Sequence, residues 1–295
     1  MLLAVRRVRR TRLVRLSAVG LGFAFGFVII LTPSTCRSAP LWVVWASLAV
    51  ALTSAAGAVF GYGLARWSDL SALRPIRMRD VIVPVASLTT SAAAVGVASV
   101  ALTVTAHRAG TDWSAVRGWA LVSAAVVGAG PAVTVMYGVR HAASNGSAAG
   151  ARGEQVGALV TLRRLLQRLL TAVGSLVALS TLALGAALAE GCARSGEGQL
   201  PPQTVLIFGG VGSVLVALAY GPASTALNNR GQRLCDELFP LSEADEPAAI
   251  LSRAEDRNKL EQLLGVDRSI VADLQTGLVI LGPLIASAAA TLLPH

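Results

Sequence analysis

The chain has 295 residues, of which 54% are hydrophobic and only 14% are charged, and its mean hydropathy is +0.64. Soluble domains carry about 25% charged residues, so this chain has too few to cover a water-facing surface of its size. The net charge of +9 would raise nucleic acid as a partner of a soluble protein. Here the basic residues collect in particular loops between apolar segments, so nucleic acid is not implied, and the composition favours a lipid bilayer.

Seven apolar segments have about the length that a helix needs to cross a hydrocarbon core of about 30 Å. The sequence therefore predicts an all-α polytopic transmembrane bundle of about seven spans. The first segment is the shortest and follows arginine-rich sequence. The predicted spans are residues 16–32, 41–65, 81–106, 115–138, 169–189, 204–227 and 270–292.

Arginine and lysine are distributed very unevenly between alternate loops, and this bias sets the orientation of a membrane protein. One set of loops carries 21 of the 25 basic residues, and the other set carries three. The first set is predicted to be cytoplasmic, in a plasma-membrane protein with its N-terminus inside and its C-terminus outside. The inner loops are 1–15, 66–80, 139–168 and 228–269, and the outer ones are 33–40, 107–114, 190–203 and 293–295. The remaining basic residue, Arg117, begins the fourth span, where its side chain can reach back to water.

Two features of the outer face leave alternatives open. The start of the chain could be a cleaved signal peptide, because a basic region and an apolar core precede small residues near Ser38. Cys36 and Cys192 both fall in outer loops. In an oxidising exterior they could form a disulfide, and two isolated thiols are the alternative.

The inner loops differ in kind. Residues 142–153 are small and polar, which predicts a flexible linker. The stretch 159–169 then has leucines on one helical face and polar residues opposite. It is either an interfacial amphipathic helix or, as we prefer, the solvated lower turns of the span 169–189.

The loop 228–269 is the only substantial soluble element of the chain. Ser242 and Asp245 form a helix-start signature and Gly265 a stop signal, so we predict a helix near 246–264. Its apolar residues are predicted to form one stripe among charged ones, and such a helix must dock on the membrane face, a neighbouring subunit or a partner protein. The candidate docking residues are Ile250, Leu251, Leu260, Leu263 and Leu264.

All three tyrosines precede a glycine, at Tyr62, Tyr137 and Tyr220, and each pair falls at the inner end of a predicted span. Tyrosine is common at membrane interfaces, which is one explanation. The other is a two-helix unit repeated three times in parallel orientation.

Ionisable groups inside a membrane are usually functional, and Asp273 is the deepest acid in the chain. We expect it either to snorkel to the interface or to line a polar cavity that opens to the cytoplasm. The cavity hypothesis joins it to hydroxyl and amide groups of the third, sixth and seventh predicted spans, while helix–helix packing is the alternative role of those groups. The candidate cavity residues are Asp273, Gln275, Thr225, Asn228, Thr89 and Thr90.

The sequence contains no P-loop, HExxH, GxSxG or cysteine–histidine metal spacing. We therefore expect no catalytic site, no metal and no cofactor. Two hypotheses for function remain. The sequence favours an oligomeric channel or transport component, because seven spans exceed what an anchor needs. The alternative is a non-catalytic subunit that recruits a cytoplasmic partner through its basic loops and the 242–265 helix. A homo-oligomer or a membrane complex fits either one. The chain divides into a basic N-terminus (1–15), a six-span region (16–227), the loop 228–269 and a last span with the outer C-terminus (270–295).

The predicted topology can be tested by labelling introduced cysteines from outside the cell. A membrane-impermeant reagent should modify a cysteine placed after Leu293 and spare one placed near Gly146. The reverse pattern of labelling would contradict the orientation.

Overall fold

The computed structural model describes residues 2–32, 42–73, 86, 90, 113–144, 152–189, 203–240, 247–266, 277–279, 281, 282 and 285. Of these residues 97% are helical, and they include no strand. The all-helical fold class is thereby confirmed. The helices are α1 (Leu2–Leu31), α2 (Trp42–Leu73), α3 (Trp113–Ser144), α4 (Arg152–Ala189), α5 (Gln203–Leu238) and α6 (Pro247–Leu264).

Five of these helices are long and apolar enough to cross a membrane: Val14–Leu31, Trp42–Trp67, Val116–Ser144, Arg152–Ala187 and Val205–Leu238. They fit a membrane protein that contacts the lipid bilayer. The predicted span 81–106 lies almost wholly outside the described residues. Within the segment 270–292, Val279 is helical and lies against Gly174 of α4.

Successive helices run in alternating directions, as two buried clusters show. One cluster joins the late turns of α3 and α5 to the early turns of α4 and includes Met136, Leu166 and Leu234. The other joins the late turns of α1 and α4 to the early turns of α2 and includes Trp45 and Leu176. We call the first the basic end of the bundle, because it is where the arginine-rich segments lie, and the second the far end.

The positions of the ends of α2 and α3 bear on the predicted span 81–106. α2 finishes at the basic end, and α3 starts at the far end, where Leu121 joins the second cluster. A span between these two helices requires this relation. The span count itself stays a prediction.

Helix α4 resolves the alternatives for residues 159–169. It is one unbroken helix of 38 residues, about 57 Å long at 1.5 Å per residue, against a hydrocarbon core of about 30 Å. These residues are therefore the lower turns of the spanning helix and not a separate interfacial one. The predicted linker 142–153 is also shorter than expected, because helix covers 142–144 and 152–153.

Glycines let α1 and α2 pack with their backbones in contact. A Cβ atom at Gly57 would overlap the carbonyl of Ala18, and one at Gly22 would overlap the carbonyl of Thr53. At Gly61 it would lie 3.1 Å from the Cα of Arg15. Small residues that allow such close approach are typical of helix contacts in membranes. We call this contact the α1–α2 glycine seam.

Arg117 joins three helices at the far end, and the expectation that it snorkels to water is wrong. Its side chain is buried, and Nε donates to the Thr32 hydroxyl at 2.9 Å. The guanidinium carbon lies 5.5 Å from the ring centroid of Trp42 and 5.8 Å from that of Trp45. Cation–π contacts of this kind gain strength when they are shielded from water, which favours the inward position.

The glycine seam can be tested with two alanine substitutions. An alanine normally stabilises a helix interior by about 1 kcal/mol relative to glycine. Gly20 has open space around it, so Gly20→Ala should leave the melting temperature in detergent unchanged or raise it. Gly57→Ala should lower the melting temperature, because overpacking costs about 1–3 kcal/mol. Equal responses of the two variants would contradict a tight seam.

Candidate docking platform

The two longest predicted inner loops, 139–168 and 228–269, are helical over most of the residues that the structure describes. α4 begins at Arg152, several turns before its predicted span, and α5 continues beyond its own span to Leu238. α6 packs against both extensions. We call this unit, formed by α4 152–168, α5 228–238 and α6, the platform.

The C-terminal end of α6 is closed by a Schellman motif. The amide of Gly265 donates to the carbonyl of Gln262 at 3.0 Å, and that of Val266 donates to Glu261 at 2.8 Å. Gly265 has a φ of 63°, a conformation that costs glycine nothing and strains other residues. The predicted stop at Gly265 is therefore where the helix ends.

Arg163 of α4 holds this helix end in place. Its guanidinium donates to the carbonyl of Leu264 at 2.6 Å and to the side-chain oxygen of Asn228 at 3.4 Å. The last carbonyls of a helix have no partner within it and carry partial negative charge. A cation placed there bonds a carbonyl and also compensates the helix dipole. One side chain thus links α4, α5 and α6.

Apolar contacts complete the seat of α6. Leu264 is buried in the core cluster of the basic end, and Leu260 packs against the same cluster. Val266 lies on Gly231 of α5, where a Cβ atom would come within 2.6 Å of its methyl group. Burying one leucine side chain contributes about 1.5–3 kcal/mol, so these contacts favour a fixed position for α6.

Arg257 adds a charged contact between α6 and α5. It forms ion pairs at 2.8 Å with Asp236 of α5 and with Glu261 of its own helix. The hydrogen bond to Glu261, and then the charge of Asp236, raise the pKa of Arg257 above its ordinary value. Because Asp236 is largely exposed, solvent screening leaves the pair a small role in stability. Its geometry still orients this face of α6 towards α5.

The other faces of α6 are open, and they carry three of the five candidate docking residues. Ile250, Leu251 and Leu263 are 39%, 68% and 62% exposed. The apolar residues of α6 therefore do not form one stripe. Leu251 and Leu260 are nine residues apart, which at 100° per residue places them on opposite sides of the helix.

Three of the six candidate cavity residues, Thr225, Asn228 and Thr90, lie among the described residues, and the cavity itself stays a prediction. Thr225 is exposed, and its hydroxyl donates to the carbonyl of Gly221 in its own helix at 3.0 Å. Asn228 accepts from Arg163 in the platform. Thr90 is helical and exposed. The remaining members, Thr89, Asp273 and Gln275, lie outside the described residues, as do Cys36 and Cys192 of the candidate disulfide.

A partly open cavity of a different character lies between described helices. It has a volume of about 120 Å³ and lies between α3, α4 and α5, with apolar residues such as Val133, Val177 and Phe208 around it. The hydroxyl of Ser180, which also lines it, donates to the carbonyl of Val177 at 2.7 Å. The lining therefore presents a hydrocarbon surface and suits no ion.

Sequence reasoning missed the residues that organise both ends of the bundle. Arg163 stands in a basic run in which Arg164 and Arg168 look equally suitable, and no local signal separates them. Only the packing of α6 against α4 distinguishes Arg163. Arg117 was missed because its partners, Thr32 and the tryptophans of α2, are distant in sequence.

Comparison with known proteins assigns no family to this chain. No family model matches it, and neither a curated protein nor a solved structure is significantly similar.

The platform contact can be tested by substituting adjacent arginines. Arg163→Ala should speed amide hydrogen exchange across residues 247–266, because the lost hydrogen bonds cost about 1–3 kcal/mol. Arg164 is exposed on the same turn of α4, so Arg164→Ala removes the same charge and should leave exchange unchanged. Equal protection of α6 in both variants would contradict the role of Arg163.

Proposed function

We propose that this protein is a non-catalytic membrane subunit that recruits a cytoplasmic partner protein through α6. The observation that carries the proposal is the contrast between the docked side of α6 and the rest of its surface. The docked side is fixed to the bundle by Leu264 and by the bond from Arg163 to the C-terminal carbonyl. The rest of the surface carries exposed large apolar side chains, with Leu251 and Leu263 the most exposed among them.

A fixed helix with exposed apolar side chains is suited to binding. A free helix would lose conformational entropy when it bound a partner. α6 is already ordered by its contacts with α4 and α5, so this conformational entropy is lost on folding and not on binding. Leucine side chains that stand in water on such a helix give up unfavourable hydration when a partner covers them.

The location of the partner follows from the proposed topology. The 21-to-3 bias of basic residues supports placing the basic end, and with it the platform, in the cytoplasm of a plasma-membrane protein. This topology has seven spans, an inner N-terminus and an outer C-terminus. A homo-oligomer fits this topology.

The threefold repeat belongs to the same proposal. Tyr62, Tyr137 and Tyr220 all belong to or pack against the buried cluster of the basic end. Their shared position supports a repeated two-helix unit, and a preference of tyrosine for the interface predicts the same position.

The transport hypothesis has less support. A path for an ion or a polar solute requires polar groups that face a common space. Thr225 instead bonds within its own helix, and Asn228 accepts from Arg163 of α4. The cavity between α3, α4 and α5 is lined by apolar side chains. An apolar solute is the one cargo that this cavity suits.

Site-specific photo-crosslinking in cells tests the proposal. A photoreactive residue at position 251 or 263 should crosslink to a cytoplasmic protein, because both positions are exposed. The same residue at position 260, which packs against the bundle, is the matched control and should not. With the partner purified, the Leu251→Ser and Leu263→Ser double variant should weaken binding about tenfold or more, since buried apolar anchors dominate interfaces. Its melting temperature should not change.

Two results would contradict the proposal. One is unchanged binding by the double variant. The other is a solute flux in proteoliposomes of the purified protein, above that of empty vesicles and insensitive to both leucine substitutions.

A further inference from the structure

A second group of residues at the basic end, on α1 and α2, has the chemistry of an anion site. Arg15 of α1 lies with its guanidinium carbon 5.1 Å from the ring centroid of Tyr62 in α2, and that of Arg66 lies 5.4 Å from the same centroid. The two guanidinium groups therefore share one aromatic ring as a common neighbour. We call Arg15, Tyr62 and Arg66 the arginine–tyrosine cluster.

The cluster contains buried donors that the protein itself does not use. The Nε–H of Arg15 and the hydroxyl of Tyr62 are both hidden from solvent, and within the described part of the chain neither has a hydrogen-bond partner. A buried donor left without an acceptor costs about 1–3 kcal/mol, and more when it is charged. An acceptor from outside the protein would remove that cost.

The α1–α2 glycine seam holds the cluster together. Gly61, next to Tyr62, has no side chain, and the Cα of Arg15 lies 3.1 Å from where its Cβ would be. This contact fixes the start of the Arg15 side chain beside the tyrosine. Arg66 follows Tyr62 by four residues and so shares its face of α2.

The donor set selects an oxyanion with several acceptor atoms. Two guanidinium groups supply positive charge and planar sets of N–H donors, and the phenol supplies one O–H donor. Guanidinium groups match the oxygen geometry of phosphate, which they bind through paired hydrogen bonds.

The position in the bundle points to a phosphate that belongs to a lipid. Arg15 directly precedes the predicted span 16–32, and Arg66 directly follows the span 41–65, so both lie where headgroups lie. Val19 is one turn further along α1 on the same face as Arg15 and is 36% exposed. An acyl chain can lie on Val19 while the phosphate meets the arginine.

From these observations we infer that Arg15, Tyr62 and Arg66 bind the phosphate group of an anionic phospholipid at the basic end of the bundle. The site lies between α1 and α2 and does not involve the face of α6 that the proposed function uses. Basic pockets between transmembrane helices are known to bind anionic headgroups in this way. The bound lipid would link α1 to α2 where the seam ends.

The test measures binding of a short-chain phosphatidylglycerol to the full-length protein in neutral detergent, by native mass spectrometry. Arg15→Gln should weaken binding about tenfold or more, the loss expected for charge-assisted hydrogen bonds. Tyr62→Phe keeps the ring and removes only the hydroxyl, so the fold is retained and binding should weaken about two- to tenfold.

Two matched variants act as controls. Arg140 is exposed near the end of α3, also at the basic end, so Arg140→Gln removes an equal charge and should change binding less than twofold, the effect of screened charges. Tyr137→Phe removes a hydroxyl from the tyrosine of α3 and should leave binding unchanged.

Three outcomes would overturn the inference. Equal weakening by Arg15→Gln and Arg140→Gln would mean that the lipid responds only to net charge. Unchanged binding by both Tyr62→Phe and Arg15→Gln would mean that the cluster is not the site. If inorganic phosphate displaced the lipid at concentrations as low as those at which the lipid binds, the acyl chains would contribute no affinity. The site would then be assigned to free phosphate.

Discussion

The contact between α1 and α2 depends on the absence of side chains at Gly22, Gly57 and Gly61. A bilayer offers little hydrophobic drive for helix association, because lipid tails are as apolar as the helices themselves. Close van der Waals contact and polar bonds must supply the stability instead. The glycines provide the first, since the two backbones meet directly. Arg117 provides the second at the far end, where it bonds Thr32 and lies on the tryptophans of α2.

The same contact has consequences at the basic end. Because α1 approaches α2 so closely at Gly61, the backbone of Arg15 is held beside Tyr62. Two positive groups therefore remain near one aromatic ring. Arg163 plays a comparable part in the platform, where one guanidinium bonds to a helix end and to a neighbouring helix. In both places an arginine links helices at a point where carbonyl oxygens or the face of an aromatic ring carry partial negative charge.

Hydropathy located one end of each described spanning helix much better than the other. At the far end the predicted boundaries of all five lie within two residues of the observed ones. At the basic end every one of these helices continues for more than a full turn past its predicted boundary. Hydropathy detects where apolar sequence stops, but a helix needs no apolar residues to continue once its turns pack on neighbours. The extensions of α4 and α5 pack on each other and on α6, and that tertiary contact is invisible in a single window of sequence.

The candidate site was predictable in part. The predicted helix near 246–264 matches α6 to within a residue, because helix-start signatures and a glycine stop act locally on the backbone. Which side of α6 contacts the bundle was not predictable. The apolar residues of α6 are spread around the helix, and the contact of Arg163 with the Leu264 carbonyl joins positions 101 residues apart. The polar residues of the spans are ambiguous for a related reason. A threonine can satisfy its hydroxyl on its own helix, as Thr225 does, so its presence says little about a cavity.

The unbroken length of α4 has a geometric consequence for the proposed partner of α6. Because α4 passes from the membrane to the seat of α6 as one helix, it acts as a rigid spacer and not as a tether. The height of α6 above the bilayer, and the direction in which Leu251 faces, are set by the number of residues between Arg163 and the lipid boundary. One residue more or fewer would turn the seat by about 100° and shift it by about 1.5 Å. The proposed partner, when it also touches the membrane, would thus meet α6 at a single distance and angle.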